Sequence, residues 1–232
     1  MKQILLSLCI AALALSSPAH ARSKPSNNDV RNVMSFIDSL TTENTAYYKA
    51  HKSEFFAKLS KGQYPTATVV SCSDARVHSN ALSANPEGKL YVVRNLGNQL
   101  STAEGSVEYG IRQLHTPLLL ILGHSRCGAI AAVTGNYSKQ PPAIKHELDS
   151  IHINKELTNL EGVYTNINNQ VAAAMLRYSD VVDKHELTVV GAILDFSNDM
   201  QQGAGKLNII NMNGETDPAK LHKLEGTLAE SK

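Results

Sequence analysis

Several things are scarce or missing in this 232-residue sequence, and each absence narrows the field. No G-x-G-x-x-G or G-x-x-x-x-G-K-[ST] run occurs, so neither a dinucleotide fold nor a phosphate loop is implied. No internal repeat is visible, and low complexity is confined to a short polar stretch, Arg22 to Asn28. Only one apolar run stands out as a possible membrane element, Ile4 to Leu15, and it is too short to span a bilayer. With Met1-Lys2 ahead of it and Ala19-His20-Ala21 behind, it reads as a secretory signal peptide cleaved after Ala21. Cys9 sits inside the run rather than at its far end, so no lipid anchor is read. The mature chain, residues 22–232, is therefore expected to be periplasmic or secreted, without a membrane anchor.

Charge is scarce in the net sense. Cleavage removes Lys2 from the 22 basic residues and leaves the 21 acidic ones intact, so the two signs balance. That gives no electrostatic reason to expect nucleic acid or an acidic membrane as partner. Cysteine is scarcest of all. Of three, Cys9 departs with the leader, and Cys72 and Cys127 remain. Two cysteines in an oxidising compartment most often pair as a disulfide, and on those facts alone that reading leads.

What is present is a pattern of short apolar runs: 67–71, 90–93, 118–122, 187–194 and an edge candidate at 206–210. Continuous apolar runs mark strands covered on both faces, the habit of parallel sheets. Helical patterns lie between them. Ser101-Thr102-Ala103-Glu104 reads as a capping box opening a helix with Val107, Ile111 and Leu114. Cys127 to Thr134 reads as a short helix ended by Gly135, and Val171 to Val182 as another. Ahead of the first strand, one amphipathic helix is expected through Val30–Leu40 and a second carrying Tyr47, Tyr48, Phe55 and Leu59. The fold class is α/β around a mainly parallel sheet. One catalytic domain follows the leader, with a helical arm at about 28–60 and a core at about 66–211.

The chemistry gathers at two strand exits. In S-C-S-D-A-R-V, residues 71–77, extended backbone would point Cys72, Asp74 and Arg76 the same way. In L-G-H-S-R-C-G-A-I, residues 122–130, His124 and Cys127 follow another strand, and H-x-x-C would let both face one point across a helical turn. Gly123 and Gly128 would clear space where that turn is tight and a metal close. Ligands collect outside the carboxyl ends of open α/β sheets. Cys72, His124 and Cys127 thus form a Cys2His set suited to zinc. The disulfide stays open beside it, as does a surface ion pair of small value for Asp74–Arg76. His146, Glu147 and His152 do not have the spacing of a metalloprotease helix. His78 follows the Asp74–Arg76 pair closely enough to be a candidate proton shuttle.

C-S-D-A-R, R-N-L-G-N at 94–98, S-V-E-Y-G at 106–110, L-G-H-S-R-C-G-A-I and V-V-G-A-I-L-D together resemble a β-class carbonic anhydrase, here an exported, bacterial-type member. The resemblance runs in order over roughly residues 60–210. It implies a small, mainly parallel sheet flanked by helices, N-terminal helices crossing a homodimer, and often a higher homo-oligomer. It implies Zn2+ on Cys72, His124 and Cys127, and reversible hydration of carbon dioxide to bicarbonate and a proton. Zinc-bound hydroxide would be oriented by Asp74, itself held by Arg76. In a closed state Asp74 would become a fourth zinc ligand. Two thiolates donate more charge to zinc than imidazoles would, so activity is expected to rise at alkaline pH. Asn95, Gly97 and Asn98 match the family's pocket rim, and Gly97, Gly128 and Asn85 are the substrate-binding candidates. Asn85 stands where related open-site enzymes often carry glutamine. A non-catalytic zinc module and a carbon disulfide-type hydrolase on the same fold are the alternative functions.

Overall fold

The computed structural model describes residues 27–223, so the proposed leader, its cleavage point and Cys9 lie outside the described residues. The chain divides into a unit ending at Ser53 and one beginning at Glu54. Of the first, one long helix is described, α1 (Asn27–Ala50), with Val33, Met34, Phe36, Ile37, Leu40 and Tyr48 exposed. Tyr47 and Tyr48 belong to α1 rather than to a separate second helix. The break comes later, at His51–Lys52, before α2 (Ser53–Leu59). None of the helices among the described residues is long and apolar enough to cross a membrane.

The second unit is built on a five-stranded sheet of order β2-β1-β3-β4-β5. The strands are β1 (Ala67–Cys72), β2 (Leu90–Asn95), β3 (Leu118–His124), β4 (Thr188–Asp195) and β5 (Lys206–Met212). The first four run parallel, and β5 closes one edge antiparallel to β4. All five expected runs are strands, each ending one or two residues beyond its apolar stretch. β1, β3 and β4 are buried almost end to end, the signature of strands covered on both sides. Val70, Ile121, Val189 and Ile193 face one core with Ile167 and Val171; Val69, Leu122, Ala192 and Leu194 face the other with Val77 and Leu221.

The helices depart more from expectation. α3 (Glu104–Glu108) starts without the Ser101–Glu104 box: its N-cap is Ala103, with no side-chain bond. Glu104 is instead taken by Arg177, whose Nη1 donates to it at 2.8 Å. The segment then widens into a π-helix at Tyr109–Gln113. After α4 (Gly128–Thr134) comes α5 (Pro142–Asp149), which the sequence pattern did not announce. The helix expected over 171–182 is two: α6 (Asn159–Arg177) and α7 (Ser179–Val182), parted at Tyr178. A reciprocal capping box does form, at Thr158 and Glu161, and it fixes where α6 begins.

α6 lies along β3 and β4 because two glycines let it. A Cβ on Gly123 would come within 2.5 Å of Ile167 Cδ1, and one on Gly191 within 2.6 Å of Ile167 Cγ2. Gly123 thus clears space for a helix, not for a metal. Gly128 needs no such reason, since a Cβ there would meet nothing within 4 Å.

Candidate metal centre

β1 lies between β2 and β3, so the chain leaves β1 toward one neighbour and returns on the other side. Where order reverses, the loops after adjacent strands diverge and leave a crevice at the carboxyl edge. Cys72 closes β1 and His124 closes β3, one at each lip of that crevice.

After His124 the chain turns through Ser125 and Arg126, the latter left-handed at φ 55°. Cys127 is then the N-cap of α4, in extended conformation. His124 and Cys127 therefore converge through a tight turn and not across a helical turn. The turn is stitched down: Ser125 N–H donates to Leu194 O at 3.1 Å, and Phe196 N–H to Ser125 Oγ at 2.9 Å. Cys127 itself is held on both sides by Asn159, which accepts from Cys127 N–H at 3.0 Å and donates to Cys127 C=O at 2.9 Å.

One ligand atom each from Cys72, His124 and Cys127 lies within 4.8 Å of the others, and all three residues are buried. Both cysteines are free thiols with sulfurs 4.0 Å apart, so the disulfide reading is not the arrangement found. Two thiolates about 2.3 Å from one tetrahedral zinc stand about 3.8 Å apart, close to the separation observed. The histidine is prepared in the same sense. Nδ1 donates to Ser125 C=O at 3.0 Å, which leaves Nε2 as the lone-pair nitrogen. Nε2 is fully buried and has no hydrogen-bond partner. A buried acceptor without a partner is costly, and two soft sulfurs beside it make a zinc ion the fitting one.

The thiols share their acidity unequally. Cys72 is brought down to about 4, above all by the Cys127 thiol, then by His124 and by backbone N–H groups of Gly97 and Asp74, against the cost of burial. Cys127 is pushed upward, because its S–H donates a hydrogen bond to the Cys72 sulfur and the residue is deeply buried.

Asp74 and Arg76 meet by a route the strand argument did not foresee. β1 ends at Cys72, and the chain turns at once, with Val77 N–H donating to Asp74 C=O at 2.9 Å. Arg76 curls back on Asp74: Nε donates to Oδ1 at 2.9 Å, Nη2 to Oδ2 at 2.7 Å, and its backbone N–H to Oδ1 at 3.0 Å. This guanidinium holds the Asp74 carboxyl down at about 2. Oδ2 stands 3.8 Å from His124 Nε2. Asp74 therefore borders the three-ligand group while its carboxylate is engaged by Arg76.

Other sequence candidates separate. Gly97 sits at φ 73°, two residues beyond Asn95, which pairs with Cys72 across β1 and β2. Asn95 caps the following turn, accepting from Gln99 N–H at 2.8 Å. Gly128 is the exposed first residue of α4, and Asn85 is exposed on the loop leading to β2. His78 is spent as a cap, accepting from Asn80 N–H at 3.5 Å. Sequence reasoning missed Arg94, which donates to the carbonyls of Cys72 at 3.2 Å and Asp74 at 2.7 Å. It also missed Phe196, whose ring lies 5.3 Å from the Arg76 guanidinium and 5.8 Å from the His124 ring. Arg94 opens the R-N-L-G-N run, which gave it no role, and Phe196 reaches the site only through the fold.

A family model described as carbonic anhydrase matches residues 67–201, more than half of the chain. The carbonic anhydrase of Synechococcus elongatus is 36% identical over 101 residues, covering 40% of this chain and 37% of that protein. The chain spans less than half the length of the curated relatives it matches. Among solved structures, the β-carbonic anhydrase CcaA superposes with a TM-score of 0.66 at 21% identity, over 78% of this chain and 88% of that one. A tetrameric β-carbonic anhydrase of the ascomycete Sordaria macrospora does so at 0.63 and 23% identity, over 76% and 97%. The fold is that of these structures, and the chain belongs to the carbonic anhydrase family.

Proposed function

We propose that this chain is an exported zinc enzyme that reversibly hydrates carbon dioxide to bicarbonate and a proton. One observation carries the reading: the buried Cys72–His124–Cys127 group has an unpaired imidazole nitrogen, and 3.8 Å from it stands a carboxylate gripped by a guanidinium. A structural zinc site closed by Asp74 would have no use for Arg76, which competes for that carboxylate.

Cys72, His124 and Cys127 would hold the metal. Zinc bound there would supply the Lewis acidity that makes water a nucleophile near neutral pH. The rest follows from the chain's own residues. Asp74, ionised at any working pH, can only accept hydrogen bonds. It takes the O–H of the attacking oxygen and so turns a lone pair toward the carbon of carbon dioxide. It is too weak a base to keep the released proton, which passes to buffer. Arg76 fixes the carboxylate through two parallel bonds, which set its plane as well as its position. Arg76 Nη2 also donates to Arg126 C=O at 3.2 Å, so the pair is tied to the turn that carries the other ligands.

Export after Ala21 and assembly into a homodimer or larger homo-oligomer belong to the same reading. The apolar residues exposed along α1 support assembly, with Phe36 at 63% and Tyr48 at 62% of full exposure. Stopped-flow hydration of carbon dioxide by the chain from Arg22 tests the activity. A zinc-dependent rate that climbs from neutral to alkaline pH is expected. Bound zinc with no rate at any pH would leave a non-catalytic zinc module or a different substrate.

A further inference from the structure

α6 presents Asn159, Asn166 and Gln170 along its length, seven and four residues apart, which is the spacing of one helix face. Asn166 is 2% exposed and Gln170 9%, on a face otherwise made of Val163, Ile167, Val171 and Ala174. Polar groups on such a face are tolerated only when fully paired. These are paired in a particular direction. Asn166 Nδ2 donates to Gly97 C=O at 2.9 Å, and Gln99 Nε2 donates to the same oxygen at 2.6 Å and to Asn166 Oδ1 at 2.7 Å. Gln170 supports Gln99 from behind, donating to Gln99 Oε1 at 2.9 Å and accepting from Leu100 N–H at 2.8 Å. Both lone pairs of one carbonyl are thereby committed, and that carbonyl belongs to the glycine two residues beyond Asn95, the residue paired with Cys72 across β1 and β2.

Gly97 and Asn98 are consecutive left-handed residues, at φ 73° and 52°, and glycine is the residue most free to leave that geometry. Something must hold the peptide where it is. Seven residues earlier on the same helix, Asn159 pairs with both the N–H and the C=O of Cys127. These two bonds fix the peptide planes on either side of its Cα and hence the direction in which its Cα–Cβ bond leaves the chain.

We propose that α6 is the positioning element of the metal centre: Asn159 sets Cys127, and Asn166 with Gln99 sets the Gly97 peptide against Cys72, so one rigid helix holds the two sulfurs at their separation. The proposal rests on the zinc reading above. Asn159, Asn166 and Gln99 are positioning residues, since none offers an atom to the metal. Outer partners of this kind commonly change metal affinity about 10–100-fold when removed.

The test uses Asn159→Ala and Asn166→Leu in the full chain, zinc-loaded and cobalt-substituted, with far-ultraviolet circular dichroism as the check on folding. Chelator competition is expected to show zinc held about 10–100-fold less tightly in each folded variant. The thiolate-to-cobalt absorption in the near ultraviolet is expected to shift and weaken. Asn159 is only half-buried on the first turn of α6, so Asn159→Ala decides the matter even if Asn166→Leu does not fold. Wild-type affinity and an unchanged cobalt band in the folded variants would overturn the positioning role alone. A wild-type protein that binds neither zinc nor cobalt through its thiolates would overturn the zinc reading, and this proposal with it.

Discussion

At the end of β3, the groups that make the site are buried and tied to backbone. His124 and Ser125 are 0% exposed and Cys127 1%; Leu194 and Phe196 take up the polar atoms of Ser125, and Asn159 those of the Cys127 backbone. At the end of β1 the chain turns in the open just after Cys72, and the Arg76 side chain keeps 50% of its exposure. The difference divides the labour. On the proposed reading the β3 exit supplies ligands that must not move, and burial with hydrogen bonds to their backbone supplies rigidity. On that reading the β1 exit supplies one fixed ligand and then a carboxylate to orient the attacking oxygen, held by a guanidinium that solvent reaches. Arg76 joins the two exits through Arg126 C=O.

Removing a ligand should erase this distinction. Cys127→Ser leaves a harder, protonated oxygen in a site built for thiolate, and Cys72→Ser does the same from the other exit. Zinc content by mass spectrometry should fall from one atom per chain to near none in both, with hydration lost. Replacing Asp74 should sharpen it. Asp74→Asn keeps the shape but turns one acceptor oxygen into a donor, so the rate should fall by about 10²–10⁴-fold, the scale of losing a positioned proton-bonding group. Zinc content should stay at the wild-type level. If Asp74→Asn lost zinc as the cysteine variants do, Asp74 itself would be a ligand and the comparison would fail.

How far the sequence foretold this depends on what kind of signal each part sends. Apolar runs report burial directly, so all five strands and the parallel class were legible. Residue types report chemistry, so Cys72, Asp74, Arg76, His124 and Cys127 were legible as a group. Their geometry was not. Alternation along an extended strand was expected to align Asp74 with Arg76, but β1 stops at Cys72 and a turn does it. The Ser101–Glu104 capping box failed because Arg177, distant in sequence, takes the glutamate and Thr102 pairs with Asn95 and Glu147. Asn159, Asn166 and Gln170 all lie ahead of the helix expected from Val171, in a stretch left unassigned from sequence. Their spacing among Val163, Ile167 and Val171 was the one signal available, and local pattern cannot say which face is the inner one.

The same burial makes the β3 side intolerant of volume. Gly191→Ala puts a methyl 2.6 Å from Ile167 Cγ2 and 3.1 Å from Val171 Cγ2, where α6 rests on the sheet. Overpacking of this kind costs about 1–3 kcal/mol. Chemical denaturation should show that loss as a lower midpoint with an unchanged slope. An alanine in place of Gly128, at the exposed start of α4, should cost far less, because its Cβ meets nothing within 4 Å. Equal losses at the two sites would mean that α6 does not need its close seat on the strands.

The smallest effect belongs to the exposed pair. Asp74 has its carboxyl held at about 2, first by the Arg76 side chain, against an ordinary value of 3.8. A carboxylate depressed by folding binds fewer protons in the native state than in the unfolded one. Its contribution to stability is therefore complete above the ordinary value and drains away as pH falls from about 4 toward 2. The pair is partly solvated, so the amount is on the order of 1 kcal/mol or less. Urea unfolding of wild type and Arg76→Met across pH 2 to 5 isolates it. The wild type should be the more stable at pH 5, and the two curves should converge toward pH 2. A gap that stayed constant would mean that Arg76 stabilises the fold by packing on Phe196, not by its charge on Asp74.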